Sequence, residues 1–135
     1  MTRAEETTQT APFVAQMPEL NRRLRGHSFY PTAAQLARIP GLHGQDGLGT
    51  RARVHLHYFN ASSDWYITEL DPADGHAYGW ACLNGDTWNA EWGYVDLVAL
   101  ESVSGRLGVL VERDRFWTPG PAAEVIPQLR KADDA

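Results

Sequence analysis

The run Arg51-Ala52-Arg53-Val54-His55-Leu56-His57-Tyr58-Phe59 decides the fold. Extended, it sends Ala52, Val54, Leu56 and Tyr58 to one face and Arg53, His55, His57 and Phe59 to the other. Asn60-Ala61-Ser62-Ser63 follows as turn chemistry. A second strand, rich in aromatic and β-branched residues, runs from Trp65 to Leu70, and Asp71-Pro72-Ala73-Asp74-Gly75 turns the chain again. Further strands are predicted over Ala77 to Leu83, Trp88 to Val95 and Leu107 to Trp117, with Asn84-Gly85-Asp86 as the next turn. Successive strands joined by short turns predict an antiparallel meander of four to five strands over residues 51–117.

Helices flank this block. Pro12 opens a stripe of Phe13, Val14, Met17, Leu20 and Leu24, with Pro18 as a kink or a later start. Arg22, Arg23 and Arg25 then read as a solvated helix end, stopped by Gly26. Thr32 is a good N-cap for a short helix carrying Ala33, Leu36, Ala37 and Ile39, which Pro40-Gly41 ends. Asp96 is placed to cap a brief helix through Glu101, and Ala122 to Lys131 reads as a short C-terminal helix. The class is therefore α+β, with one domain over residues 12–131 and flexible tails at 1–11 and 132–135.

Composition bounds the function. A chain of 135 residues supports one core. With 12 basic and 17 acidic residues the formal charge is −5, which argues against coating nucleic acid. No apolar run approaches the roughly 20 residues of a membrane span, and the N-terminus lacks a secretory pattern. The single cysteine, Cys82, excludes an internal disulfide and a cysteine zinc cluster and suits a reducing compartment, so a cytoplasmic location is expected.

Several strings, in order, resemble a known family: Leu36-Ala37-Arg38-Ile39-Pro40-Gly41-Leu42, His57-Tyr58-Phe59, Trp65-Tyr66-Ile67-Thr68-Glu69, Glu91-Trp92-Gly93-Tyr94-Val95-Asp96-Leu97 and Glu112-Arg113-Asp114. From about Thr32 to Pro119 they are similar to the domain of unknown function 2958 family. Trp92 stands where that family more often has a smaller apolar residue. The resemblance implies a small bacterial protein, often encoded on mobile elements near anti-restriction and DNA-processing genes. It transfers no catalytic residue.

Three constellations could carry chemistry. His55 and His57 lie two apart on a strand and share a face, as two metal ligands would. Glu69 supplies a third ligand if Phe59 pairs with Trp65, and turns away if Phe59 pairs with Asp64. A divalent metal therefore depends on His55, His57 and Glu69 meeting; otherwise no cofactor is expected. Glu69, Glu91, Glu112, Arg113 and Asp114 form a candidate polar cluster, suited to acid–base work or to a structural ion network. Alternation puts rings on both sheet faces, and Trp65, Tyr66, Trp80, Trp92 and Tyr94 are candidate binding aromatics if about three of the rings are exposed together.

Two weaker signals are set aside. The glycine-rich stretch at residues 41–49 lacks the strand before and the helix after that a phosphate loop requires. Ser62-Ser63 near His57 and Asp64 lacks a nucleophile elbow.

Two functions compete. One is a cytoplasmic binding or adaptor protein, mobile-element-encoded, acting on a host protein or defence system without turnover. The other is a small metal-dependent hydrolase built on the carboxylates and histidines. A polar pocket joining Glu69, Glu91 and Glu112 favours the enzyme; a flat aromatic surface favours the binding module. A protein partner is expected, with no membrane and no nucleic acid.

Overall fold

A computed structural model describes residues 17–103 and 110–130. The predicted tails, the helical start at Phe13 and Val14, and the strand start at Leu107 lie outside the described residues. The strands are β1 (Arg53–Val54), β2 (Leu56–Phe59), β3 (Asp64–Leu70), β4 (His76–Cys82), β5 (Glu91–Asp96), β6 (Glu112–Arg113) and β7 (Gly120–Pro121). Short helices are α1 (Arg22–Arg25), α2 (Ala33–Leu36), α3 (Leu97–Ser102) and α4 (Ala122–Val125). The architecture is α+β around a five-stranded antiparallel sheet of order β5-β4-β3-β2-β6. A second, two-stranded sheet joins β1 to β7. No helix among the described residues is long and apolar enough to cross a membrane.

From β2 to β5 the chain meanders as predicted. β6 departs from the meander: it returns across the molecule to pair with β2, Tyr58 opposite Arg113 and Phe59 opposite Glu112. β5 and β6 are thus opposite edges with three strands between them, roughly 19 Å apart at about 4.8 Å per strand.

Two bulges set which side chains share a face. Leu56 pairs with Ile67, while the amide of the preceding residue, His55, also donates to the Ile67 carbonyl (2.8 Å). That extra residue divides the predicted stripe: Leu56 and Tyr58 pack in one core and Val54 in another. In β3, Ile67 pairs with Gly79 and Glu69 with Tyr78, so Thr68 is the extra residue. Period two places Trp65, Ile67 and Glu69 together; the bulge instead keeps Trp65 and Ile67 in the first core and turns Glu69 to the side of Tyr66 and Tyr78. Beside the bulge, a Cβ on Gly79 would collide with the Tyr66 carbonyl, so only glycine fits.

The first core unites Leu56, Tyr58, Ile67, Leu70, Val95 and Leu97 with Phe29, Tyr30 and Leu36 of the N-terminal segment. The Tyr58 hydroxyl donates to the Phe29 carbonyl (2.8 Å). The second core, on the opposite face, is smaller: Val54, Tyr66, Ala122 and Ile126, flanked by Trp80, Trp92 and Trp117. The N-terminal segment thus covers one face, and the C-terminal segment covers only part of the other.

Local signals explain the short helices. Thr32 and Gln35 form a capping box on α2, and Asp96 accepts the amides of Val98 and Ala99 to start α3. α4 stops before Pro127, which cannot continue its hydrogen bonding; a 3₁₀ turn at Pro127–Leu129 replaces the rest of the predicted helix. The N-terminal reading needs correction. Among the described residues of that stretch, only Arg22–Arg25 is helical, and Leu20 and Leu24 are 77% and 72% exposed. Arg25 is the buried residue of that turn, paired with Glu101 (3.0 Å) and Glu19 (3.6 Å), its Nε donating to the Val111 carbonyl (2.8 Å). A guanidinium can be buried when its donors are satisfied in this way.

Candidate functional site

The glycine loop at residues 41–49 folds onto the bulge in β3. Glu69 is only 4% exposed, and its two oxygens accept the backbone amides of His43 and Gln45, each at 2.8 Å. Fixed N–H donors offset the cost of desolvating a carboxylate. His43 adopts a left-handed φ of 73° to aim its amide. The Gln45 side chain stitches the loop further, donating to the carbonyls of Thr68 (2.8 Å) and Arg53 (3.0 Å) and accepting the Arg53 amide (2.8 Å). Gly44 has no room for a Cβ, which would lie 2.6 Å from that of Pro40. The loop is therefore a cradle for an anion supplied by its own sheet.

Held there, the loop forms one wall of a groove of about 580 Å³. His43, Asp46 and Gly47 line the loop side, Thr68 and Glu69 the floor, and Tyr78, Trp92 and Tyr94 the sheet side. Tyr78 and Tyr94 are cross-strand partners meeting edge to face at 5.1 Å; Trp92, diagonal to Tyr78, lies parallel to it at 6.0 Å. Tyr94 is 64% exposed, so one flank of the groove is open. Burial, then the neighbouring Tyr94, Glu69 and Asp46, pushes the Tyr78 hydroxyl above its ordinary pKa. Beyond Trp92 the aromatic row ends at Trp80, whose indole N–H donates to Gln128 (2.9 Å).

His57 belongs to a different assembly. Its Nδ1 meets Asp114 (2.9 Å) and its Nε2 meets Asp64 (2.7 Å), while the ring stacks on Tyr66 at 4.7 Å and 10°. It therefore clamps β2, β3 and the end of β6, with Trp117 against it at 5.1 Å. Burial raises Tyr66 to about 12, with Asp64 next in effect. His55 is lowered, first by burial and then by Arg53.

The observed register pairs Phe59 with Asp64, and the proposed ligand set does not meet: Glu69 is held by the loop and His57 by two aspartates. Among the described residues, no three His, Cys, Asp or Glu side chains gather to hold a metal ion.

The polar cluster is likewise dispersed. Glu91 lies exposed on β5, at the far edge from β6. Glu112 contacts His27 (3.1 Å), Arg113 reaches the Ser28 carbonyl (3.3 Å), and Asp114 holds His57. Of the candidate aromatics, Trp92 and Tyr94 line the groove and Trp80 closes the row. Tyr66 is buried beneath His57, and Trp65 packs in the first core on the opposite face. Sequence reasoning missed His43, Gln45, Asp46 and Tyr78 as groove residues and Glu101 as the partner of Arg25, and set Asp64 beside His57 only as part of an incomplete triad. Only Tyr78 carried a signal, its alternation with Trp80.

Residues 43–132 match the family of domain of unknown function 2958 (DUF2958), described as a protein of unknown function. The chain belongs to the DUF2958 family. Searches among curated proteins and among solved structures return no match. The DUF2958 region starts at His43, after the Leu36–Leu42 string, and runs past Pro119. It contains the whole groove and the His57 assembly, whereas Arg25 and the N-terminal cover precede it.

Proposed function

We propose that this DUF2958 protein is a cytoplasmic binding module whose groove takes up a segment of a protein partner. That partner is a host or defence protein, in keeping with a mobile-element origin. The groove carries the reading: exposed Tyr94 and half-buried Tyr78 and Trp92 line it against a fixed loop wall. Partly exposed aromatics on a rigid frame supply contact area at little entropic cost, a common property of binding hot spots. The hydrolase alternative is the weaker reading: Glu91 and Glu112 lie on opposite edge strands, and the buried Glu69 has both oxygens occupied by backbone amides.

The test replaces Tyr94 with a photo-crosslinking amino acid and identifies what it captures in a bacterial lysate. A discrete partner is expected, captured through one segment and lost when Trp92→Ser is added. Capture unaffected by Trp92→Ser would refute the groove as the binding surface.

A further inference from the structure

We propose that β5 is the acceptor edge for an extended, basic segment of the partner, which adds to the sheet as a further strand. This rests on the groove reading and names the chemistry of its occupant. β5 ends the sheet, with β4 on one side and, among the described residues, no strand on the other. The ladder's phase shows which backbone groups are free. The amide of Leu97 donates to Gly75 across the β4–β5 pair (3.0 Å), so the odd-numbered residues of β5 point their N–H and C=O groups toward β4. The backbone groups of Trp92 and Tyr94 therefore point outward. No described residue takes a backbone bond from them. The same two residues send their side chains into the groove. An incoming strand would meet a hydrogen-bonding edge and two aromatic rings at the same positions, the two requirements of strand addition.

Charge selects the occupant. Residues 54–105, which hold β2 to β5, contain eight acidic residues and no lysine or arginine. Glu91 and Asp96 are exposed at the two ends of β5, and Asp86 is exposed in the preceding turn. In the groove, Asp46 stands across from the rings. Lysine or arginine at alternate positions of an added strand would sit over Trp92 and Tyr94 and face these carboxylates. A second copy of this chain would bring the same uncompensated acidic block against itself, which disfavours self-pairing. Exposed Trp88 (94%) and Leu83 beside β5 extend the contact surface.

The experiment titrates the isotope-labelled full chain with three short synthetic peptides. One alternates valine and lysine; one alternates valine and glutamate; one is the lysine peptide N-methylated along its pairing edge. The lysine peptide is expected to bind and to slow hydrogen exchange at the Trp92 and Tyr94 amides. N-methylation should weaken it by roughly tenfold or more, about the 1.4 kcal/mol of one backbone bond. Glu91→Lys should weaken it as well, and the glutamate peptide should not bind.

Binding that ignores N-methylation and leaves both amides unprotected would overturn strand addition while leaving the groove reading intact. Absence of lysine-peptide binding, or equal binding of the glutamate peptide, would overturn the proposal. So would a dimer of the chain alone, seen by sedimentation, that protects the same two amides; it would assign the edge to a second copy.

Discussion

Glu69→Gln tests the internal anion cradle. The substitution keeps shape and volume but turns one oxygen into an amide NH₂ group. That group meets the N–H of His43 or Gln45 donor to donor, so one 2.8 Å bond is lost and the other becomes neutral. Bonds to a charged group contribute about 1.5–3 kcal/mol and neutral ones about 0.5–1.5. Going from two of the first kind to one of the second loses about 3 kcal/mol. A neutral amide is easier to desolvate than a carboxylate, which returns about 1. The net loss is about 2 kcal/mol, or roughly 6–8 °C in Tm for a domain of this size. Thermal unfolding by circular dichroism measures it, and amide exchange at His43 and Gln45 localises it. A Tm within about 2 °C of wild type, with unchanged exchange at both amides, would refute the cradle.

Other substitutions probe the frame. Glu101→Gln should cost about 3 kcal/mol in urea unfolding, since the buried Arg25 charge keeps only one carboxylate, the longer contact with Glu19; a loss under about 1 would show that Glu19 suffices. Gly79→Ala should give little folded protein, because the added Cβ meets the rigid Tyr66 carbonyl; a soluble variant of near-native Tm would contradict this. In pH titration, Tyr30 and Tyr66 are both held at about 12, above the ordinary value near 10, chiefly by burial. A raised folded-state pKa stabilises fully below the unfolded value and is lost as pH rises through the folded one. Urea midpoints should therefore hold up to about pH 10 and fall between about 10 and 12, together with the tyrosinate absorbance.

The strands and their turns were legible because alternation and turn residues are local signals. The caps at Thr32 and Asp96 were legible for the same reason. The bulge at Thr68 was not, since a single inserted residue leaves composition and alternation almost unchanged while reversing the face of Glu69. The return of β6 to β2 was hidden too. Glu112-Arg113-Asp114 says nothing of its pairing partner, so carboxylates at opposite edges looked like neighbours. Arg25 reads as solvated because its partners Glu101 and Val111 are remote in sequence. Of the groove, Trp92 and Tyr94 were visible as aromatics, but the loop wall depends on hydrogen bonds to Glu69 that no motif announces.

The most direct measurement is calorimetric titration of the crosslinked partner segment into wild type, Trp92→Ser and Glu112→Gln. A central aromatic contact contributes about 2 kcal/mol or more, so Trp92→Ser should weaken binding by roughly thirtyfold. Glu112→Gln, at the far edge of the sheet, should bind as wild type does. Wild-type affinity in Trp92→Ser, or an equal loss in Glu112→Gln, would contradict a binding site in the aromatic groove.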